Sequence, residues 1–364
     1  MNQHSPIPAI NPNSAADPNA GIFGLPTTYA ESKIIYLPIP WEATTSYGGG
    51  TAFGPEAILK ASIQLDLFDR DVKDPYLAGL YALPISEKIK TLNKKAKKLA
   101  QTIKDVYGEL NEDPTLKNNL KQVNEYSDEL NQIVYLETLR IINDDKIPAL
   151  IGGDHSVPFG AYQAIAEKFG NFGILHFDAH SDTREAYMGF KHSHASIMRN
   201  SANLIPEIKT IVQVGIRDFC EEEMAYTESQ REHFQVFYDQ EISEKKLSGV
   251  AFNEIANSII KVLPEKVWVS FDIDGLDPRF CPHTGTPVPG GLDYSEALLI
   301  LKLLAQSGRT ILGFDVVEVA PPLLNQIPIE VSQAADEWDA NVGMRLIYKL
   351  TALTLASRKL ASWR

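Results

Sequence analysis

The sequence predicts an α/β protein with a mainly parallel central sheet between two layers of helices, a three-layer α/β/α architecture. Three observations lead there. Apolar runs of strand length alternate with helical segments over most of the chain. The runs are continuously hydrophobic, as in strands covered on both faces. Several end abruptly in Asp or Gly, where a buried parallel strand meets its loop at the carboxyl edge of such a sheet.

Residues 1–30 carry Pro6, Pro8, Pro12 and Pro18 among Asn and Ser, and are expected to form a flexible or oligomer-wrapping arm. They have neither the basic start nor the apolar core of a signal peptide. A single domain is expected over residues 31–364. Its first strand is Ile34 to Pro38, followed by a Gly-rich loop through Gly48, Gly49 and Gly50 and a helix from Pro55. That loop lacks the closing Gly-Lys-Ser/Thr of a phosphate-binding loop, so its glycines serve either a close backbone approach or a plain turn. A helical insert is expected at about residues 85–146, where Leu120, Val123, Tyr126, Leu130, Ile133 and Val134 recur at helical spacing. Strands are then predicted at Ile147 to Ile151, Gly173 to Phe177, Ile211 to Val214, Gln235 to Tyr238, Val267 to Phe271 and Ile311 to Val316, with helices between them.

Chemistry is concentrated where three of these strands stop. The clusters are Gly152-Gly153-Asp154-His155-Ser156, Asp178-Ala179-His180-Ser181-Asp182 and Asp272-Ile273-Asp274-Gly275-Leu276-Asp277-Pro278. Side chains two apart on a strand face the same way, so Asp178 projects with His180, and Asp272 with Asp274. Any one cluster alone is commonly a cap or a turn. Together they gather His155, His180, Asp178, Asp182, Asp272 and Asp274, too much negative charge to bury unpaired. Two divalent cations would neutralise it, and carboxylate with imidazole suits manganese, iron, cobalt, nickel or zinc.

In their order and wording these clusters resemble the ureohydrolase family of arginases, agmatinases, formimidoylglutamases and guanidine hydrolases. Further similar segments are Gly54-Pro55-Glu56-Ala57-Ile58, Gly215-Ile216-Arg217, Thr284-Gly285-Thr286-Pro287 and Gly313-Phe314-Asp315-Val316-Val317-Glu318. The resemblance implies the same three-layer fold and a hydrolase that releases urea from a small guanidino substrate. It implies that His155, Asp178, Asp182 and Asp272 hold one ion, and that Asp178, His180, Asp272 and Asp274 hold the other, either Mn2+ or Ni2+. It also implies that Glu318 grips the guanidinium and that His194 serves the leaving nitrogen, with His192 as the local rival. His176 is expected to be a packed core histidine, His283 a pocket or loop residue, and Asp154 and Asp277 outer-sphere or turn-forming. A homotrimer or homohexamer would be usual.

The substrate is sought in the loops. Residues 183–190 lack the Asn- and Ser-containing pattern of arginases, which counts against arginine. The loop Pro40-Trp41-Glu42-Ala43-Thr44-Thr45-Ser46-Tyr47 resembles that of guanidine hydrolases, which use nickel. Free guanidine is therefore expected ahead of agmatine and other guanidino acids or amines, with Trp41, Thr45 and Tyr47 closing the pocket. A single-metal deacetylase would not need both His155 and His180 with four carboxylates. A metal-binding regulatory subunit without turnover is the non-enzymatic alternative.

Composition fits this picture. Hydrophobic residues make up 44% of the 364 and charged residues 22%, ordinary for a globular protein. A formal charge of −13 argues against nucleic acid as a partner. No apolar run is long enough to predict a membrane span. Two cysteines, Cys220 and Cys281, make no disulfide framework, and a cytoplasmic location is expected. The lysines between Lys88 and Lys98 are expected to form a solvated helix face.

Overall fold

In the computed structural model, which describes residues 10–324, 327–328 and 337–364, the predicted strands assemble into one sheet. They are β1 (Ile34–Pro38), β2 (Leu80–Ala82), β3 (Ile147–Ile151), β4 (Phe172–Phe177), β5 (Ile208–Ile216), β6 (Phe234–Tyr238), β7 (Lys266–Asp272) and β8 (Thr310–Val317). Every pairing in the sheet is parallel, in the order β2-β1-β3-β8-β7-β4-β5-β6. The short edge strand β2 has no counterpart in the sequence reading. Three residues are too few for a periodic signal to register.

The helices are α1 (Gly54–Ala61), α2 (Glu87–Lys104), α3 (Pro114–Asn143), α4 (Phe159–Phe169), α5 (Ile197–Leu204), α6 (Glu221–Ser229), α7 (Asp239–Leu247), α8 (Phe252–Lys261), α9 (Tyr294–Gln306) and α10 (Trp338–Ser357). Alternation along each strand feeds two cores. Leu175, Phe177, Val267, Val269, Phe271, Phe314 and Val316 pack with α1, α8, α9 and α10 on one face. Ile174, Ile211, Trp268, Leu312 and Val317 pack with α2, α3, α4 and α5 on the other. The three-layer expectation is met.

Burial refines two expectations. Among the residues expected to form a flexible arm, Ile22, Phe23 and Leu25 are buried, and the Phe23 ring meets those of Tyr36 and Tyr348 edge-on at 6.0 and 5.1 Å. Three large apolar side chains within four residues outweigh the loop-like composition around them. Residues 1–9 lie outside the described region. Helix α2 buries Ile89, Leu92, Ala96, Ala100 and Ile103, and Ser86 caps it by accepting the Ile89 N–H at 3.3 Å. Its lysine face is solvated as expected, and from it Lys97, with 37% of its side chain exposed, pairs with Glu42, whose side chain is only 2% exposed.

Candidate metal centre and pocket

Strands β3, β8, β7 and β4 are neighbours at the middle of the sheet, and their carboxyl ends deliver His155, Glu318, Asp272 and Asp178 to one crevice. The turn after β3 needs its glycines: a Cβ on Gly153 would sit 1.8 Å from the Trp41 carbonyl oxygen. That close approach lets the Trp41 carbonyl accept the Asp154 N–H at 2.8 Å and swings His155 over the sheet edge.

All six predicted ligand residues come together. The Nδ1 of His155 faces Oδ2 of Asp178, Asp182 and Asp272 at 2.9, 3.1 and 3.3 Å. The Nδ1 of His180 lies 3.4 Å from Oδ1 of Asp178 and 3.2 Å from Oδ2 of Asp274. Asp178 thus serves both groups. Backbone N–H groups aim the carboxylates, with Oδ1 of Asp274 accepting from Ala179 at 3.0 Å and Oδ1 of Asp272 accepting from Asp274 at 2.9 Å. Asp182 is held at φ 54° and Glu318 at φ 61°, a left-handed backbone that costs a non-glycine residue about 1 kcal/mol and is tolerated where the surroundings demand it.

A single N–H on His155 cannot hydrogen-bond three carboxylate oxygens at once, whereas a cation can contact all of them. The other face of this ring fixes its tautomer. Ser270 donates its hydroxyl hydrogen to Asp315 at 2.9 Å, so its oxygen receives Nε2–H of His155 at 2.9 Å, leaving the Nδ1 lone pair toward the carboxylates. Asp315 is pinned by the Trp268 indole N–H at 2.6 Å. A donor set of this kind, in this arrangement, fits divalent metal.

The electrostatics of the metal-free cluster point the same way. Burial, then the charges of Asp178 and its neighbours, push the Asp182 carboxyl up to about 7. Burial with Asp274 and Asp178 raises Asp272 well above its ordinary value. Burial alone would lower the His155 imidazole, yet its contacts with Asp178, Asp182 and Asp272 raise it well above normal.

His176, expected as a core histidine, is wholly buried but belongs to this cluster. Gln213 donates Nε2–H to its Nδ1 at 3.0 Å, so the ring hydrogen sits on Nε2 and is given to Oδ2 of Asp178 at 2.8 Å. It therefore aims Asp178 without offering a lone pair of its own. The signal was present in the sequence, since residues 176 and 178 share a strand face.

A cavity of about 370 Å³ opens over the cluster, lined by Ser46, Tyr47, His180, Asp182, Arg184, Tyr187, His194, Phe219, Asp272, Thr286 and Glu318 among others. His194 Nδ1 is 3.2 Å from Oε1 of Glu318, and its Nε2 is 3.3 Å from the Ser46 hydroxyl. Burial, offset in part by Asp154 and Asp182, lowers the His194 imidazole and favours its neutral form. Burial raises the Glu318 carboxyl to about 8. The rival His192 instead pairs with Asp128 of α3 at 2.9 Å. His283 pairs with Asp339 at 2.8 Å and does not line the cavity.

The expected substrate loop is met in part. Tyr47 lines the cavity and is 91% exposed. Trp41 does not line it, because its apolar indole is buried beside β1 and β3. Thr45 is also buried, with its hydroxyl on the Glu42 carbonyl at 3.4 Å, and Ser46 presents the polar group in its place. Asp154 accepts the Ser156 N–H at 3.0 Å as a buried turn residue, and Asp277 caps a short turn through the Arg279 N–H at 3.0 Å.

Comparison with known proteins agrees with this geometry. The model of the arginase family matches residues 32–340. An N(1)-aminopropylagmatine ureohydrolase of Synechocystis sp. is 30% identical over 300 residues, covering 81% of this chain and 84% of that protein. An agmatinase of Bacillus cereus is 29% identical over 319 residues, covering 85% and 92%. Among solved structures, a hypothetical agmatinase from Burkholderia thailandensis superposes with TM-score 0.67 at 22% identity, covering 97% of this chain and 98% of that one.

Proposed function

Since this chain belongs to the arginase family, we propose that it is a two-metal ureohydrolase whose preferred substrate is free guanidine. That it is a hydrolase acting on C–N bonds of linear amidines follows from the family. The ions would be held by His155, Asp178, Asp182 and Asp272 on one side and by Asp178, His180, Asp272 and Asp274 on the other, with Mn2+ or Ni2+ as candidates. Bound there, such ions would neutralise the carboxylates and supply the acidity that ionises a water near neutral pH.

The observation that carries the proposal is the pairing of Glu318 with His194 at the edge of the acidic cluster. A carboxylate fork can hold a planar guanidinium by two parallel hydrogen bonds, fixing its carbon for attack. Water adds to that carbon, a C–N bond breaks, and the departing nitrogen takes a proton. His194, largely neutral at rest, can relay this proton between solvent and the leaving group. Urea and ammonium result when the substrate is guanidine.

Preference for a tailless substrate rests on the loop at residues 40–47. Arg184, stacked on the Tyr187 ring at 4.8 Å, also lines the cavity, but its charge is answered by Glu223 at 3.6 Å and by Asp218 on the same wall, so charge alone does not turn away an ammonium tail. Agmatine and related amines are the second proposal, favoured by the names of the relatives and by a cavity larger than guanidine fills. We also propose a homotrimer or homohexamer, measurable by light scattering.

Urea release from guanidine, agmatine, arginine and guanidinobutyrate, by protein loaded separately with nickel and with manganese, tests this. A higher kcat/KM on guanidine supports the first proposal, and a higher value on agmatine replaces it with the second. Activity confined to arginine rejects both. Normal metal uptake without turnover on any of them favours a regulatory metal-binding role.

A further inference from the structure

The loop at residues 42–52 forms one wall of the cavity, and it is tied into a ring by a single buried carboxylate. Oε2 of Glu42 accepts the N–H groups of Gly50 at 2.5 Å and Ala52 at 3.2 Å, and the Glu42 N–H is itself given to Asn93 of α2 at 2.9 Å. The other oxygen, Oε1, receives Lys97 Nζ from the same helix. About two turns of helix further on, Lys104 donates to the Thr45 carbonyl at 3.0 Å. Inside the ring, Thr44 Oγ1 accepts the His194 N–H at 3.3 Å and Ser46 reaches the His194 Nε2.

The opposite wall, around residues 184–192, leans on the other helix of the pair. Asn124 of α3 donates to the Gly189 carbonyl at 3.3 Å and accepts the Lys191 N–H at 2.9 Å, and Asp128 holds His192. Helices α2 and α3 therefore hold both parts of the mouth, and among the described residues neither makes a hydrogen bond or ion pair to the six proposed ligand side chains.

From this arrangement we propose that the α2–α3 hairpin is a brace for the substrate mouth, with Lys97 as the positioning residue that sets the 42–52 loop against His194. A carboxylate buried as deeply as that of Glu42 needs a countercharge, and Lys97 supplies it from the hairpin. Remove the ammonium and the carboxylate must find water, which pulls the ring open and releases Ser46 and Tyr47 from the cavity wall. Among the described residues neither Glu42 nor Lys97 bonds to a proposed ligand side chain, so substrate capture and metal binding separate.

The test uses the full-length, metal-loaded protein and the variants Lys97→Met, Lys97→Arg and the double variant Glu42→Gln with Lys97→Met. For Lys97→Met we expect KM for the working guanidino substrate to rise about tenfold with kcat changed less than about threefold. Metal affinity stays at the wild-type value, and amide exchange at Gly50 and Ala52 accelerates. Lys97→Arg restores KM. Should Lys97→Met fail to fold, the double variant, which leaves no carboxylate to draw water, folds and keeps KM and exchange near the wild-type values, and a double variant that does neither overturns the brace. In Lys97→Met an unchanged KM with unchanged exchange overturns it too, as does a loss of metal affinity in parallel with KM. The kinetic half rests on the ureohydrolase reading. Wild-type protein that releases no urea from any guanidino compound defeats that reading, while exchange at Gly50 and Ala52 still decides the brace.

Discussion

One oxygen of Glu318 serves two histidines: Oε1 accepts the backbone N–H of His155 at 3.0 Å and lies 3.2 Å from Nδ1 of His194. The residue proposed to grip substrate is thereby locked to the turn that carries the proposed ligand His155 on one side and to the proposed proton relay on the other. Replacing His194 by Ala should lower kcat by about a hundredfold or more while leaving metal content unchanged, measured by urea release beside elemental analysis. Equal activity in the variant would remove His194 from the mechanism.

The carboxyl of Asp182, at about 7, and that of Asp272, higher still than an ordinary carboxylate, hold protons that incoming cations must displace. Metal affinity should therefore rise with pH across the region around 7, by about tenfold per unit for each proton released. Calorimetric titration of the metal-free protein at pH 6 and pH 8, in buffers of different ionisation heat, counts those protons. An affinity flat over this window would show the carboxylates already ionised.

Asp315 never reaches the cavity, yet through Ser270 it dictates which nitrogen of His155 carries hydrogen. Asp315→Asn should weaken metal binding by about ten- to a hundredfold, the usual scale for a partner behind a ligand histidine. Nitrogen chemical shifts of the His155 ring should move with it. Unaltered affinity would make Asp315 a packing residue only.

Phe23 tests the docked segment. Phe23→Ala removes a ring wedged between Tyr36 and Tyr348 and should cost about 3 kcal/mol or more in denaturant unfolding. A cost of a few tenths would restore the expectation of a loose arm.

The convergence of the proposed ligand residues is legible in the sequence because strand period and strand end are local properties. An apolar run that stops at Asp178 or Asp272 declares both the strand and the direction of its last side chains. What stayed hidden depends on neighbours across the sheet. Ser270 and Asp315 stand side by side only because β7 pairs with β8 in that register, although each, as a polar residue inside an apolar run, carried a trace of its partner. The loop sequence by itself predicts Trp41 as a pocket wall. Its burial is set by the strands it leans on, and nothing in the spacing of Pro40 to Tyr47 distinguishes an inward indole from an outward one. Lys97 was hidden among its fellow lysines, since only the position of Glu42 tells which of them turns in.

Strand β8 lies between β3 and β7, yet it is the last of the eight to emerge during synthesis. Until it slots in, the strand carrying His155 and the strand carrying Asp272 have no hydrogen-bonded bridge between them. The group of Asp178, His180 and Asp274 spans only the directly paired β4 and β7, so it is His155 alone whose place in the cluster waits for the final strand.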